Sequence, residues 1–441
     1  DHWAREADVV VLGSGAAGLA AAIAAHDEGA SVLLLEKADL IGGTTATSGG
    51  IVWVPNNPHM AALGLSDSTD DAMAYLESLS LGVMDMALAR TFVETAPAMI
   101  RDLEARTPLR FHVAAGYPDY HPEHPGGKPQ GGRSLDPDLF PFARLGEWGS
   151  RVNRLVTDLH PQAPVVPITL VESMGAGMPS RETLAARSAE DARGMGQALV
   201  GALLAACLDR GIVVATGVRA RDLMRAGTAV VGVTVERDGV RSDVRARRGV
   251  IIATGGFEWN TKLVNSFLRG PMTGPVSVPE CEGDGLLMAM EVGASLGNMG
   301  KSWWLQSSQE LAAHGRGHAN YLIGNSERTR PRSILVNRSA KRFVNEATNY
   351  NAIGPVLHNF DANTHDYPNL PFWIVVDQPY VEKYRFFNAT TKGAVPPWAV
   401  TADTIEELGE RIGIDGVQLA RTVSTFNADV AAGRDTEFGR G

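Results

Sequence analysis

The chain has 441 residues, 44% hydrophobic and 20% charged, enough to bury a large core and build about two or three domains. A formal net charge of -10, with Lys and Arg scattered along the chain, argues against nucleic-acid binding, which needs a clustered basic surface. The only two cysteines, Cys207 and Cys281, sit in no CxxC pattern, so neither a disulfide framework nor a Cys-rich metal site is expected, and both read as small buried apolar residues.

No run of about 18 apolar residues occurs, and the first residues lack a basic region followed by an apolar one. Neither a membrane span nor a signal peptide is therefore expected, the cytoplasm is the default location, and peripheral membrane contact stays open. The chain opens on Asp1, which suggests that leading residues are missing.

Asp8 to Leu12 is a β-branched apolar run typical of a buried parallel strand. Gly13-Ser14-Gly15-Ala16-Ala17-Gly18 follows, then an alanine-rich helical stretch from Leu19 to Glu28, Gly29, and a second strand from Ala30 to Leu35 that ends at Glu36-Lys37. In such a βαβ unit the first glycine allows the tight turn, the second lets the backbone approach a pyrophosphate, and the third lets helix and strand pack closely. The helix start offers free N–H groups to the phosphates, and Glu36 stands where a carboxylate accepts hydrogen bonds from ribose hydroxyls. These residues point to a dinucleotide. FAD is favoured over NAD by the second Gly-rich segment, Gly42-Gly43-Thr44-Thr45-Ala46-Thr47-Ser48-Gly49-Gly50, because a flavin needs such contacts along its pyrophosphate and ribityl chain; the bland alternative is a surface loop. LLLEK followed by GGTTATSGG resembles the start of the fumarate reductase-like flavoproteins.

From Thr69 to about Arg106 the pattern is helical, with Met73, Leu76, Leu79 and Met84 on one apolar face. Tyr117 to Asp138 is too rich in Pro and Gly for a helix or a central strand, and loops of this length tend to be functional or mobile. A second Ala/Leu helix runs from Gly194-Met195-Gly196 to Leu208. Strand-like runs follow at Gly211 to Val214, Val230 to Glu236 and Val244 to Thr254, with Val218 near the expected cofactor edge. By the same resemblance, the strand ending in Ala253-Thr254-Gly255-Gly256 returns to the cofactor side of the sheet. Asp284 opens a further helix, either as a plain cap or as a group orienting the cofactor edge. Trp303-Trp304 reads as domain packing, with an apolar wall for a flat ligand as the alternative.

The whole chain is similar to the 3-ketosteroid 1-dehydrogenases. The segments that carry this are GGTTATSGGIVWVPNN (42–57), YPDY (117–120), FEWN (257–260), RGPM (269–272), GDGLLMAMEVGASLGNM (283–299) and FWIVVDQ (372–378), together with RFVNE (342–346) from the wider superfamily. The resemblance implies an α/β fold: a Rossmann-like FAD-binding domain of the glutathione-reductase type over 6–274, with an inserted α+β catalytic domain over 275–441. It implies non-covalent FAD, a small hydrophobic steroid-like substrate, an electron acceptor of unknown identity, and a place in steroid and lipid degradation. The implied chemistry is a C1–C2 double bond made by proton abstraction at C2 and hydride transfer from C1 to flavin N5. Tyr350 matches one family tyrosine; Tyr120, with Tyr117 as second choice, matches the other. Fumarate reductases carry arginines where this chain has Asn349 and Val381, which disfavours a fumarate reductase-like alkene reductase; a non-catalytic flavin-binding protein is the remaining alternative. The family's chains continue into a segment that completes the isoalloxazine site and holds the C3 carbonyl, so such a segment is expected to be missing here.

Overall fold

The computed structural model describes residues 4–154, 167–174, 177–272, 274–308, 322–323, 325–387, 389 and 391–440. Two compact units are present, residues 1–264 with 277–298, and residues 265–276 with 299–441.

In the first unit β1 (Arg5–Leu12), α1 (Ala16–Asp27) and β2 (Val32–Leu35) form the βαβ unit. After them come α2 (Gly43–Thr47), β3 (Val52–Trp53), α3 (Thr69–Ser80), α4 (Met86–Arg106), β4 (Phe111–Val113) and β5 (Ser134–Pro137). The unit continues with α5 (Met195–Asp209), β6 (Val213–Ala215), β7 (Arg219–Ala226), β8 (Ala229–Arg237), β9 (Val240–Ile252) and α6 (Asp284–Glu291). Six strands make one sheet in the order β6, β2, β1, β9, β8, β7; the first four run parallel, β8 pairs antiparallel with β9, and β7 pairs antiparallel with β8.

Period-two alternation decides which side chains enter which layer. Val11 and Leu34 pack with Ala22, Ile23 and Leu203 on one face of the sheet. Val10, Leu12, Leu33 and Leu35 pack with Val233, Val235 and Met288 on the other. With both faces covered, the central strands carry continuous apolar runs, and each fully buried leucine contributes about 1.5–3 kcal/mol. Helix α5 is apolar on every side and buried from Gly196 to Cys207, as expected of a helix inside a core.

Two local outcomes differ from the sequence pattern. The 69–106 stretch is two helices, because Leu81 and Gly82 take positive φ angles of 50° and 75° that end α3; Met73 is buried and Leu76 and Met84 pack beside it. The Pro/Gly-rich stretch gives way at Ser134 to β5, the central strand of a three-stranded sheet between β3 and β4. Pro137 is accommodated because it ends the strand.

In the second unit β10 (Ser333–Val336) pairs antiparallel with β11 (Trp373–Val376). Ile334 and Val336 pack with Leu419, while Leu335 packs with Val344, Ile353 and Leu357. Arg342 and Glu346 of RFVNE form a fully buried pair, Nε to Oε1 2.9 Å, and Asp435 holds the same guanidinium at 2.8 Å. Glu346 also accepts from the Leu335 amide. The motif is thus a structural clamp in this unit.

Candidate active site

The glycine turn is closed by contacts that leave no room for side chains. Gly13 has φ +100° and a Cβ there would overlap the Ala253 carbonyl, while a Cβ on Gly18 would overlap the Gly13 carbonyl oxygen. Ala253 is held by its own amide to Leu12 O at 2.8 Å. No side chain caps α1 at Gly15, and its first internal bond is Leu19 N to Gly15 O, so the amides of Ala17 and Gly18 have no intrahelical acceptor. The Ala16 amide donates to Thr45 Oγ1 at 3.2 Å, which ties the second Gly-rich segment to the first.

Ser14 is the junction of three candidate segments. Fully buried, it donates from N (3.0 Å) and Oγ (2.6 Å) to Glu36 Oε2, and its Oγ accepts from the Gly42 amide at 2.9 Å. Glu36 Oε1 accepts from Ala38 N, and the Val218 amide donates to the Glu36 carbonyl at 2.9 Å. Val218 therefore lies beside Glu36, as the sequence reading needs. The unfilled helix start, the side-chain-free turn and a carboxylate with acceptor capacity left fit the pyrophosphate and ribose of a dinucleotide.

Further along the same edge, Thr44 Oγ1 lies 3.6 Å from Cys281 Sγ, and a Cβ on Gly255 would come within 3.2 Å of that sulfur. Ser48 Oγ donates to Thr45 O and accepts from Gly50 N; Gly49 faces Leu170, and Gly50 abuts the Met195-Gly196 backbone. Gly43 is open above its Cα, and Thr254 packs against Gly285 at the start of α6. Both cysteines are buried thiols, and burial pushes Cys207 up to about 12.

Asp284 is not a cap. The N-cap of α6 is Gly283, and Asp284 instead receives Lys37 Nζ at 2.9 Å and Arg219 at 2.6 Å, with Glu282 on the same two cations. Burial pushes the Asp284 carboxyl up, but the Arg219 and Lys37 hydrogen bonds and charges outweigh it and hold the group low. Lys37 is thus committed to this cluster, and Arg219, absent from the sequence reading, completes it.

The YPDY loop is pinned rather than loose. Asp119 is buried and accepts from Trp53 Nε1, the Lys128 amide and Arg133, all at 2.8–3.0 Å. Arg133 is itself fully buried and forks onto Asp67. Tyr117 and Tyr120 flank this anchor and are half-buried.

In the second unit Tyr350 is the first residue of α7 (Tyr350–Leu357), whose N-cap is Asn349 accepting from Ala352 N at 2.9 Å. Trp303 Nε1 donates to Tyr350 Oη at 2.9 Å. Gln306 Nε2 bonds Tyr350 O at 2.6 Å, and Trp304 N bonds Asn351 Oδ1 at 2.8 Å. Trp304 lies on Gly354, where any Cβ would overlap its ring. The tryptophan pair therefore fixes the Tyr350 turn, a role invisible in sequence because it links residues 47 apart. Val381 is buried in a helix. Tyr350 belongs to one unit and Tyr117 and Tyr120 to the other. Among the described residues no helix is long and apolar enough to cross a membrane.

Comparison with known proteins agrees with this chemistry. Residues 8–440 match the model of the FAD binding domain family. The chain is 36% identical to a 4-oxocyclohexanecarboxylate 2-dehydrogenase of Sinomonas cyclohexanicum, over 98% of this chain and 75% of that protein. It is 34% identical to a 3-oxosteroid 1-dehydrogenase of Mycobacterium tuberculosis, over 99% of this chain and 81% of that one. Among solved structures, the 3-ketosteroid delta1-dehydrogenase of Sterolibacterium denitrificans in complex with 1,4-androstadiene-3,17-dione superposes with a TM-score of 0.87 at 31% identity, covering 98% of this chain and 81% of that one. The chain belongs to the FAD-binding flavoprotein family that includes the 3-oxosteroid 1-dehydrogenases, and it is an FAD-dependent oxidoreductase.

Proposed function

We propose that the enzyme dehydrogenates a cyclic ketone beside its carbonyl, with a 3-ketosteroid as substrate and introduction of the C1–C2 double bond as the reaction. Bound FAD supplies the hydride acceptor for C1. Gly13 to Gly18, Glu36, Gly42 to Gly50, Val218 and Ala253 to Gly255 hold that cofactor, with Lys37 and Asp284 bracing its edge. Tyr350 takes the proton from C2, where the adjacent carbonyl acidifies the C–H bond, and Tyr120, or Tyr117 in its place, acts from the YPDY loop. Electrons pass on to a separate acceptor, and the site of action is the cytoplasm.

The observation that carries the reading is the Trp303 indole N–H held 2.9 Å from Tyr350 Oη. A donor aimed at a phenol oxygen supports that oxygen as a proton acceptor. A fumarate reductase-like reading finds no support in a buried Val381 and a helix-capping Asn349. Anaerobic mixing with a 3-keto-4-ene steroid should bleach the flavin, and 4-oxocyclohexanecarboxylate should bleach it far more slowly. Bleaching by the small ketone alone would replace the substrate class, and bleaching by neither would sink the dehydrogenase reading. Tyr350→Phe should keep the yellow cofactor and lose most turnover; unchanged turnover would remove Tyr350 from the mechanism.

A further inference from the structure

Immediately after Tyr120 the loop reads His121-Pro122-Glu123-His124, and its side chains meet. His121, Glu123 and His124 each offer one ligand atom within 4.8 Å of the others. His121 Nδ1 lies 3.2 Å from Glu123 Oε1. That separation is close to the edge of about 3.3 Å between two ligands on a tetrahedral zinc ion with bonds near 2.0–2.1 Å. The imidazole rings cross edge to face with centroids 5.2 Å apart.

The tautomer of His124 follows from its neighbours. Ser78 Oγ donates to Tyr75 O at 2.8 Å, so toward His124 Nδ1, 3.2 Å away, the same oxygen is an acceptor. With the Ser78 proton on Tyr75 O, Nδ1 carries the His124 proton and Nε2 the lone pair, the arrangement in which a second hydrogen bond orients a metal-binding imidazole. The backbone is held in place independently: His121 N donates to Tyr75 Oη at 3.1 Å, His124 N to His121 O at 3.1 Å, and Gly126 sits so close to Asp71 O that no Cβ would fit. Glu123 is exposed and the two histidines are half-buried, so an ion has access from solvent.

We propose that His121, Glu123 and His124 form a binding site for a divalent transition-metal ion of the zinc class, with a fourth position open to water. Two imidazoles and one carboxylate are a borderline donor set that suits zinc better than calcium or magnesium, which prefer all-oxygen ligands. The site follows Tyr120 directly in the loop that also carries Tyr117. This inference stands apart from the dehydrogenase reading.

The test is calorimetric titration of zinc chloride into the untagged, FAD-loaded full chain after EDTA treatment and desalting. One ion per chain with a micromolar or tighter Kd is expected. His121→Ala and His124→Ala should each weaken binding by more than about 100-fold, and Ser78→Ala by about 10-fold through loss of the orienting bond. Zinc-edge X-ray absorption of the wild-type complex should show two imidazole ligands. Absence of binding at millimolar zinc, or unchanged affinity in the double histidine variant, overturns the site. Should that variant fail to fold, the absorption spectrum decides, and a shell without imidazoles overturns the site equally.

Discussion

Replacing Ser14 by Ala removes one oxygen and two hydrogen bonds from the centre of the cofactor cradle. The bond from Ser14 Oγ to Glu36 Oε2, 2.6 Å long, goes to a carboxylate and contributes about 1.5–3 kcal/mol. Its loss also strands the Gly42 amide, which donates to that oxygen at 2.9 Å in a buried setting, a cost of about 1–3 kcal/mol. The two effects share one atom and do not add in full, so the expected destabilisation is about 2–5 kcal/mol. Urea denaturation of the cofactor-free chain measures it directly. Ser14 N still holds Glu36 at 3.0 Å, so the carboxylate stays in place but turns more freely. FAD affinity, followed by quenching of flavin fluorescence, should then fall about 10- to 100-fold, equivalent to about 1.4–2.8 kcal/mol. A loss of less than about 1 kcal/mol together with unchanged FAD affinity would refute the view that this hydroxyl joins the glycine turn, the acid and the second Gly-rich segment.

Three further outcomes are expected. Trp303→Phe deletes the donor to Tyr350 Oη, worth about 1–1.5 kcal/mol or about 5- to 13-fold in kcat; since Trp303 is 72% exposed, thermal stability and flavin content should hardly change, and an unaltered kcat would show the contact to be idle. Gly18→Ala forces a methyl onto the Gly13 carbonyl and should cost about 1–3 kcal/mol with loss of FAD retention on gel filtration; full retention would remove the packing argument. Asp136, wholly buried, has its pKa pushed above the ordinary 3.8, chiefly by burial, and its Oδ1 lacks a hydrogen-bond partner among the described residues. Below pH 3.8 both folded and unfolded forms hold the proton; as pH rises the unfolded chain releases it first, so stability falls through the window up to the raised value. Asp136→Asn should therefore gain stability relative to wild type as pH increases from about 4 to 7 in parallel urea melts, and a difference independent of pH would contradict the assignment.

Much of the cradle was legible because it rests on local rules. Val9 to Leu12 and Val32 to Leu35 are apolar on both faces, and the glycines stand where backbone meets backbone. Strand β7 was not legible. Its sequence RARDLMRA is largely polar because it is the edge of the sheet and none of its residues is fully buried. Strand β5 escaped notice because the preceding prolines and glycines dominate the local signal, while its pairing to β3 and β4 is long-range. The same holds for the Lys37 and Asp284 cluster, spanning 247 residues of sequence, and for Trp303, whose indole looked like packing until its N–H was seen to reach a hydroxyl. Side-chain hydrogen bonds across such separations depend on tertiary geometry, which no periodicity encodes.

The two buried cysteines give the first unit a pair of internal clocks. Neither thiol can meet a disulfide reagent, or ionise readily, without the surrounding structure parting, since burial pushes Cys207 up to about 12 and Cys281 upward as well. Labelling rates under native conditions therefore convert to opening free energies. Cys207, inside α5, reports the deepest opening, whereas Cys281, against Thr44, reports the cofactor edge. A ligand that stitches Thr44 to the glycine turn should slow the second clock far more than the first.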